Sequence, residues 1–333
     1  MKLFAFTRQL IDIPSVSGDE GVVARFLAEY LETAGFHAEL QEFEENRANV
    51  VAWGGAPPRV VLSTHLDTVP PHIAAGEDGE YVYGRGACDA KGIIAAQVEA
   101  AARLRAEGVE DVGLLFTVDE EQASLGARAA NQHRLAGSCQ FLINGEPTDN
   151  LLATGSKGSL RARVKTRGRA AHSAYPEQGE SAIEKLLDVL ADVRRHVWPN
   201  DEFFGETTVN VGTIAGGTRS NVIPAEAEAL LHVRLTTPSA AVKDALERVA
   251  AGRARVEYLS VSEPVRMLAV EGFEQTVVRF TTDISYLDNW GRPLLLGPGS
   301  ILDAHTPHER VPKQELERAV ELYVQLVRRL LAA

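Results

Sequence analysis

The 333-residue chain carries 46 acidic against 34 basic residues, a formal net charge of -12, with 45% hydrophobic and 24% charged residues. This is the composition of a folded soluble protein rather than a disordered tract or coiled coil, and the length suits one large or two medium domains. The negative balance opposes a phosphate backbone and excludes nucleic acid as an expected partner.

The opening apolar run is interrupted by Arg8, Gln9 and Asp12 before a signal-peptide core forms, and no apolar stretch is long enough to span a membrane. Cys88 and Cys139 give no disulfide framework and fit a reducing compartment, so cytoplasm is the expected location. SGDE from Ser17 to Glu20 reads as a capping box, followed by a helix with apolar residues at Val22, Val23, Phe26, Leu27, Tyr30 and Leu31 that Gly35 ends. Strands are predicted at 49–53 and 60–64, a helix from about 90 to 107, a strand at 113–118, a helix over 124–135 and a strand at 140–144. This alternation predicts an α/β domain with a mostly parallel sheet flanked by helices.

Near residue 154 the pattern changes: 159–168 alternates polar and apolar, as a strand with one wet face does. A helix (180–196), strands (207–215 and 227–236), a helix (238–250) and a strand (255–261) follow, the βαββαβ order of a ferredoxin-like α+β domain. From about 265 the α/β texture returns, with a helix predicted near 273–282, the strand PLLLG and an amphipathic helix over 312–331. The expected organisation is therefore a first domain part over 1–154, an inserted domain over 155–264 and a second part over 265–333.

In open α/β sheets, ligands bind beyond the carboxyl ends of strands. Here one strand runs into His65 and Asp67, the next into Asp119, Glu120 and Glu121, another into Glu146, and PLLLG leads through GPGSILDA to His305; Asp89 opens the long helix. Any one of these has a plainer explanation, a solvated loop residue or, for Asp89, a helix cap. Their convergence on one sheet edge is what a metal site requires. Two histidines with several carboxylates and no thiolate suit zinc, cobalt or manganese, and the carboxylates permit two ions sharing a bridge. Asp67, two residues beyond His65, could take a hydrogen bond from its far nitrogen. Glu120 and Glu121 point in different directions, leaving one for metal and one as a base. Cys88 and Cys139 are read as packing residues, and GxxxxGK[ST] is absent.

STHLDTVP, YGRGACDAKG, TVDEEQASLGA, NGEPT, GRAAHSAYP, GGTRSNVIP and GPGSILDAHTPHERV, in this order over nearly the whole chain, resemble the acetylornithine deacetylase and succinyl-diaminopimelate desuccinylase family. These are dinuclear zinc amidohydrolases related to aminoacylases and glutamate carboxypeptidases. The resemblance implies a zinc-peptidase-like catalytic domain with a ferredoxin-like lid that pairs subunits into a homodimer. It implies His65, Asp89, Glu121, Glu146 and His305 as metal ligands with Asp89 bridging, Glu120 as general base and Asp67 as the residue orienting His65. His308 is the rival to His305. In the lid, His172 resembles the family's oxyanion-stabilising histidine, and Asn221 and Arg234 resemble binders of a substrate carboxylate; the alternatives are a turn cap for Asn221 and a surface strand residue for Arg234. Lys157 carries a weaker resemblance.

The implied activity is cleavage of the amide bond of a small N-acyl amino acid, most like acetylornithine deacylation. A metallo-dipeptidase, a carboxypeptidase or the desuccinylase is the alternative within enzymes. Outside them, the alternative is a metal-binding regulatory protein without catalysis, against which an intact Glu120 argues.

Overall fold

The computed structural model describes residues 3–332. Contacts group the chain into two units: residues up to Thr154, Met267–Thr276 and Thr282 onward form the first, and Gly155–Arg266 with Val277–Thr281 the second. Val265, Arg266 and Val277–Thr281 thus group with the insertion.

The first unit is built on a mixed sheet with the strand order His37–Glu44, Arg47–Trp53, Val112–Thr117, Val60–His65, Phe141–Asn144, Arg292–Leu295 and Leu152–Ser156. The four strands from Val112–Thr117 to Arg292–Leu295 are mutually parallel, and the flanking pairs are antiparallel. Their unbroken apolar runs have a simple cause, because alternate residues serve opposite faces. Val50, Val60, Leu62, Leu114, Phe116 and Ile143 pack toward one core with residues of helices Leu3–Asp12, Gly21–Thr33, Lys91–Ala106 and Lys313–Ala332. Val51, Val61, Leu115 and Leu142 pack toward another with Ala127 and Ala130 of helix Leu125–Ala130 and with Trp290. Each fully buried Val, Leu, Ile or Phe among them contributes about 1.5–3 kcal/mol of transfer free energy. Four parallel strands end at one edge, and that edge receives His65, Asp119 to Glu121, Glu146 and the approach to His305.

In the second unit, strands Gly158–Arg167, Thr208–Gly216, Glu226–Leu235 and Arg255–Ser262 form an antiparallel sheet, with Gly158–Arg167 and Glu226–Leu235 at its centre. Helices Ala182–Arg195 and Ser239–Ala250 share its core, to which Leu160, Leu186, Leu190, Leu231 and Leu246 contribute. This is the ferredoxin-like strand arrangement.

Several expectations are corrected. The helix near 273–282 is absent; Gln275–Val278 is a strand paired with Leu152–Ser156, as its Thr-Val-Val run favours. The capping box does not form. Ser17 donates to the Asp67 carboxylate at 2.7 Å, while Glu20 accepts from Gly18 N–H at 2.8 Å and from Arg47. Helix Leu3–Asp12 and strand His37–Glu44 were not anticipated. No helix among the described residues is long and apolar enough to cross a membrane.

Candidate metal centre

His65 closes strand Val60–His65, which has parallel neighbours on both sides up to Ser63 and is paired at His65 itself with Thr117. Its Nε2 lies 2.9 Å from Asp89 Oδ1. Asp89 precedes helix Lys91–Ala106, and its other oxygen, Oδ2, lies 3.2 Å from His305 Nε2. His305 Nε2 is also 2.8 Å from Glu121 Oε1. One carboxylate therefore presents one oxygen to each of two imidazoles. Ligand atoms of His65, Asp89 and Glu121 all lie within 4.8 Å of one another. His305 has a left-handed backbone, φ 62, in the loop after Arg292–Leu295. His308 is exposed, and its backbone N–H donates to Thr306 Oγ1.

Asp67 does more than was expected of it. The near contact of His65 Nδ1 is the backbone carbonyl of Asp67 at 2.9 Å, with the carboxylate at 3.5 Å. That carboxylate accepts the backbone N–H groups of Glu120 (3.1 Å) and Glu121 (3.2 Å). It thus sets the loop that presents both glutamates. The same loop is held from its other side by Asp119 at φ 69, whose carboxylate accepts from Ala123 and Leu125 N–H and from Arg47 Nη2 at 2.7 Å.

Glu146 follows strand Phe141–Asn144, is buried, and its Oε1 has no hydrogen-bond partner. Buried Asp283 was missed by the sequence reading. Its Oδ2 accepts from Thr117 Oγ1 at 2.6 Å, and burial pushes its carboxyl up to about 6. Burial, then the neighbouring Glu146, raises the Glu120 carboxyl; burial, then Asp89, raises Glu146. Against burial, the bonds to Asp67 and Asp89 hold His65 well above its ordinary value, and Asp89 with Glu121 lifts His305 to about 10. The carboxylates facing the two imidazoles thus favour positive charge at this place.

These residues fit a pair of divalent cations. Oxygen and imidazole donors are the right chemistry, a shared carboxylate faces two histidines, and a buried carboxylate oxygen is left bare. His65, Asp89, Glu121 and His305 are brought into contact, with Glu146 and Glu120 close enough to feel their charge. The two thiols are inert: burial raises Cys88 and pushes Cys139 up to about 12.

His172, Asn221 and Arg234 belong to the second unit. His172 and Asn221 are exposed neighbours, since Ser173 N–H donates to Asn221 C=O and His172 bridges to Val222. Ala174 N–H donates to His172 Nδ1 at 3.2 Å, which leaves the ring proton on Nε2. Arg234 lies opposite Thr208 and Ser159 in the sheet, and Lys157 donates to the carbonyl of Glu206.

The model of "Peptidase family M20/M25/M40" matches residues 61–329. A "Probable carboxypeptidase" of Paracoccidioides brasiliensis (strain Pb18) is 36% identical over 376 residues, covering 98% of this chain and 84% of that protein. In solved structures the fold is similar to a tripeptidase of Staphylococcus aureus subsp. aureus mu50, with TM-score 0.79, 20% identity, and 97% of this chain and 96% of that one covered. It is also similar to a dinuclear metal binding peptidase from the M20 family of Bacillus subtilis, with TM-score 0.73, 18% identity, and 98% and 97% covered. The family match spans both the sheet edge and the segments converging there, and the chain belongs to peptidase family M20/M25/M40.

Proposed function

We propose that the protein hydrolyses an amide bond whose nitrogen belongs to an amino acid with a free α-carboxylate, as an acetylornithine-like deacylase of small N-acyl amino acids. The observation that carries the hydrolytic reading is Asp89 facing His65 and His305 with separate oxygens. The relatives named as probable carboxypeptidases favour a second reading, removal of a C-terminal residue from a dipeptide or short peptide. Both release the same kind of leaving group and differ only in what lies on the acyl side. Succinyl-diaminopimelate is a third substrate of this form.

His65, Asp89, Glu121, Glu146 and His305 would hold two divalent ions, zinc first among them with cobalt or manganese as substitutes. Such a pair polarises the scissile carbonyl and acidifies water. Glu120 takes a proton from the attacking water and later gives it to the departing amine. Asp67 fixes the backbone on which Glu120 stands. His172, with its proton on Nε2, donates to the developing oxyanion, from its own chain or from the partner of a homodimer paired through the second unit. Asn221 and Arg234 receive the substrate carboxylate.

Glu120→Gln tests this. Metal content should be unchanged while kcat falls about 10²- to 10⁴-fold, read by elemental analysis and by amine release from N-acetylornithine, N-acetyl-lysine, N-succinyl-diaminopimelate and dipeptides. Undiminished turnover removes Glu120 as base, and the preferred substrate separates the readings.

A further inference from the structure

The loop that delivers His305 ends at Glu309, a carboxylate no part of the chemistry above uses. It is only 2% exposed. Its Oε1 accepts three backbone N–H groups of the loop leading to Asp89, those of Gly86 (2.9 Å), Asp89 (3.2 Å) and Cys88 (3.3 Å). Its Oε2 takes Arg85 Nη1 at 2.6 Å. Arg85 in turn donates to the carbonyls of Thr306 and Pro71, each at 3.3 Å. Convergent backbone N–H groups make an anion cradle, and here the anion is supplied by the chain itself.

Two features make this more than a buried ion pair. The residues joined are those adjoining Asp89 and those adjoining His305, segments about 220 positions apart that meet at the Asp89 Oδ2 contact. Arg85 also offsets the charge of Glu309, so the clamp adds no net charge to a cluster already rich in carboxylates.

We propose that Glu309, paired with Arg85, is a positioning residue of the dinuclear centre: it fixes the Asp89 backbone so that the carboxylate presents one oxygen toward His65 and the other toward His305, and ties the His305 loop to it. The inference rests on the dinuclear reading of the site. Such supporting contacts govern affinity for the ion rather than contact with substrate.

The experiment titrates metal-free wild type and Glu309→Gln with cobalt(II), by calorimetry and by the visible absorption of bound cobalt. Thermal unfolding of the metal-free proteins and kinetics on N-acetylornithine and a dipeptide accompany it. The Gln variant should bind cobalt about ten- to a hundredfold more weakly, with an altered cobalt spectrum. Its kcat should recover as cobalt is raised, and its KM should stay near the wild-type value. Wild-type cobalt affinity and spectrum in the variant, even with a lowered melting temperature, overturn the inference and leave Glu309 a structural residue. Wild type that takes up fewer than two cobalt ions overturns the dinuclear reading and this inference with it. Glu309→Asp and Arg85→Lys preserve the charges while shifting the contacts and are titrated alongside. If the Gln variant does not fold, weakened cobalt binding in these two supports the clamp, and unchanged binding overturns it.

Discussion

His232 sits in strand Glu226–Leu235 with its Nε2 2.8 Å from Ser159 Oγ. Burial, with Arg234 and Arg161 nearby, pushes its imidazole down to about 4. In the unfolded chain the value is about 6.5, so between these limits the unfolded state binds a proton that the folded state refuses. The stability is therefore whole above about pH 6.5 and is lost as pH falls toward 4. His232→Gln should flatten this part of the acid limb, read as a smaller loss of stability between pH 7.5 and pH 5 in urea unfolding than the wild type shows. At this same scale the clustering of His65, Glu121, Glu146 and His305 was readable from sequence because residue type and position beyond a strand end coincide, and that of Asp89 from its place before a helix. Arg47, Asp283 and Glu309 were not. Each is defined by a partner, Asp119, Thr117 and the Asp89 loop, lying 72, 166 and 220 positions away, and no local pattern announces such a pairing.

At the scale of elements, the parallel strands were legible because two-sided burial writes unbroken apolar runs, and helix Lys313–Ala332 because Leu316, Val320, Tyr323 and Val327 all face the core. The segment over 273–282 failed the same test. Its apolar residues fit a helical spacing, yet the open edge of Leu152–Ser156 offered backbone partners, and β-branched residues took them. Gly145 shows how tightly one element can constrain another. A Cβ there would stand 2.3 Å from Ile93 Cγ2 and 2.6 Å from Gln97 Nε2 of helix Lys91–Ala106. Gly145→Ala must push strand and helix apart just before Glu146. The expected cost is about 1–3 kcal/mol of stability, measured by chemical denaturation, together with weaker metal uptake.

For the whole molecule, membership of peptidase family M20/M25/M40 was legible because the motifs occur in order from end to end, whereas no motif separates acylated amino acids from peptides, and the narrower resemblance to acetylornithine deacetylases stays a proposal. The gathering of Glu120, Glu121, Glu146 and Asp283 has a global consequence, since carboxylates whose pKa is raised by burial first and by neighbouring carboxylates second oppose folding in their charged form, and bound cations would offset this. Stripping metal with a chelator should lower the melting temperature, and restoring ions at a hundred times their Kd should return about 2.7 kcal/mol for each ion bound; scanning calorimetry with and without zinc reads the difference. A protein whose melting is indifferent to both treatments has no such centre.

The chain leaves the first unit at Thr154 and comes back at Met267, and Met267 N–H donates to Thr154 C=O at 2.9 Å. The long excursion departs and returns at one doorstep, and Val277–Thr281 make a short second one. More than a hundred residues can therefore lengthen or shorten between these two points over evolution while the strands that lead to His65 and Glu146 keep their register.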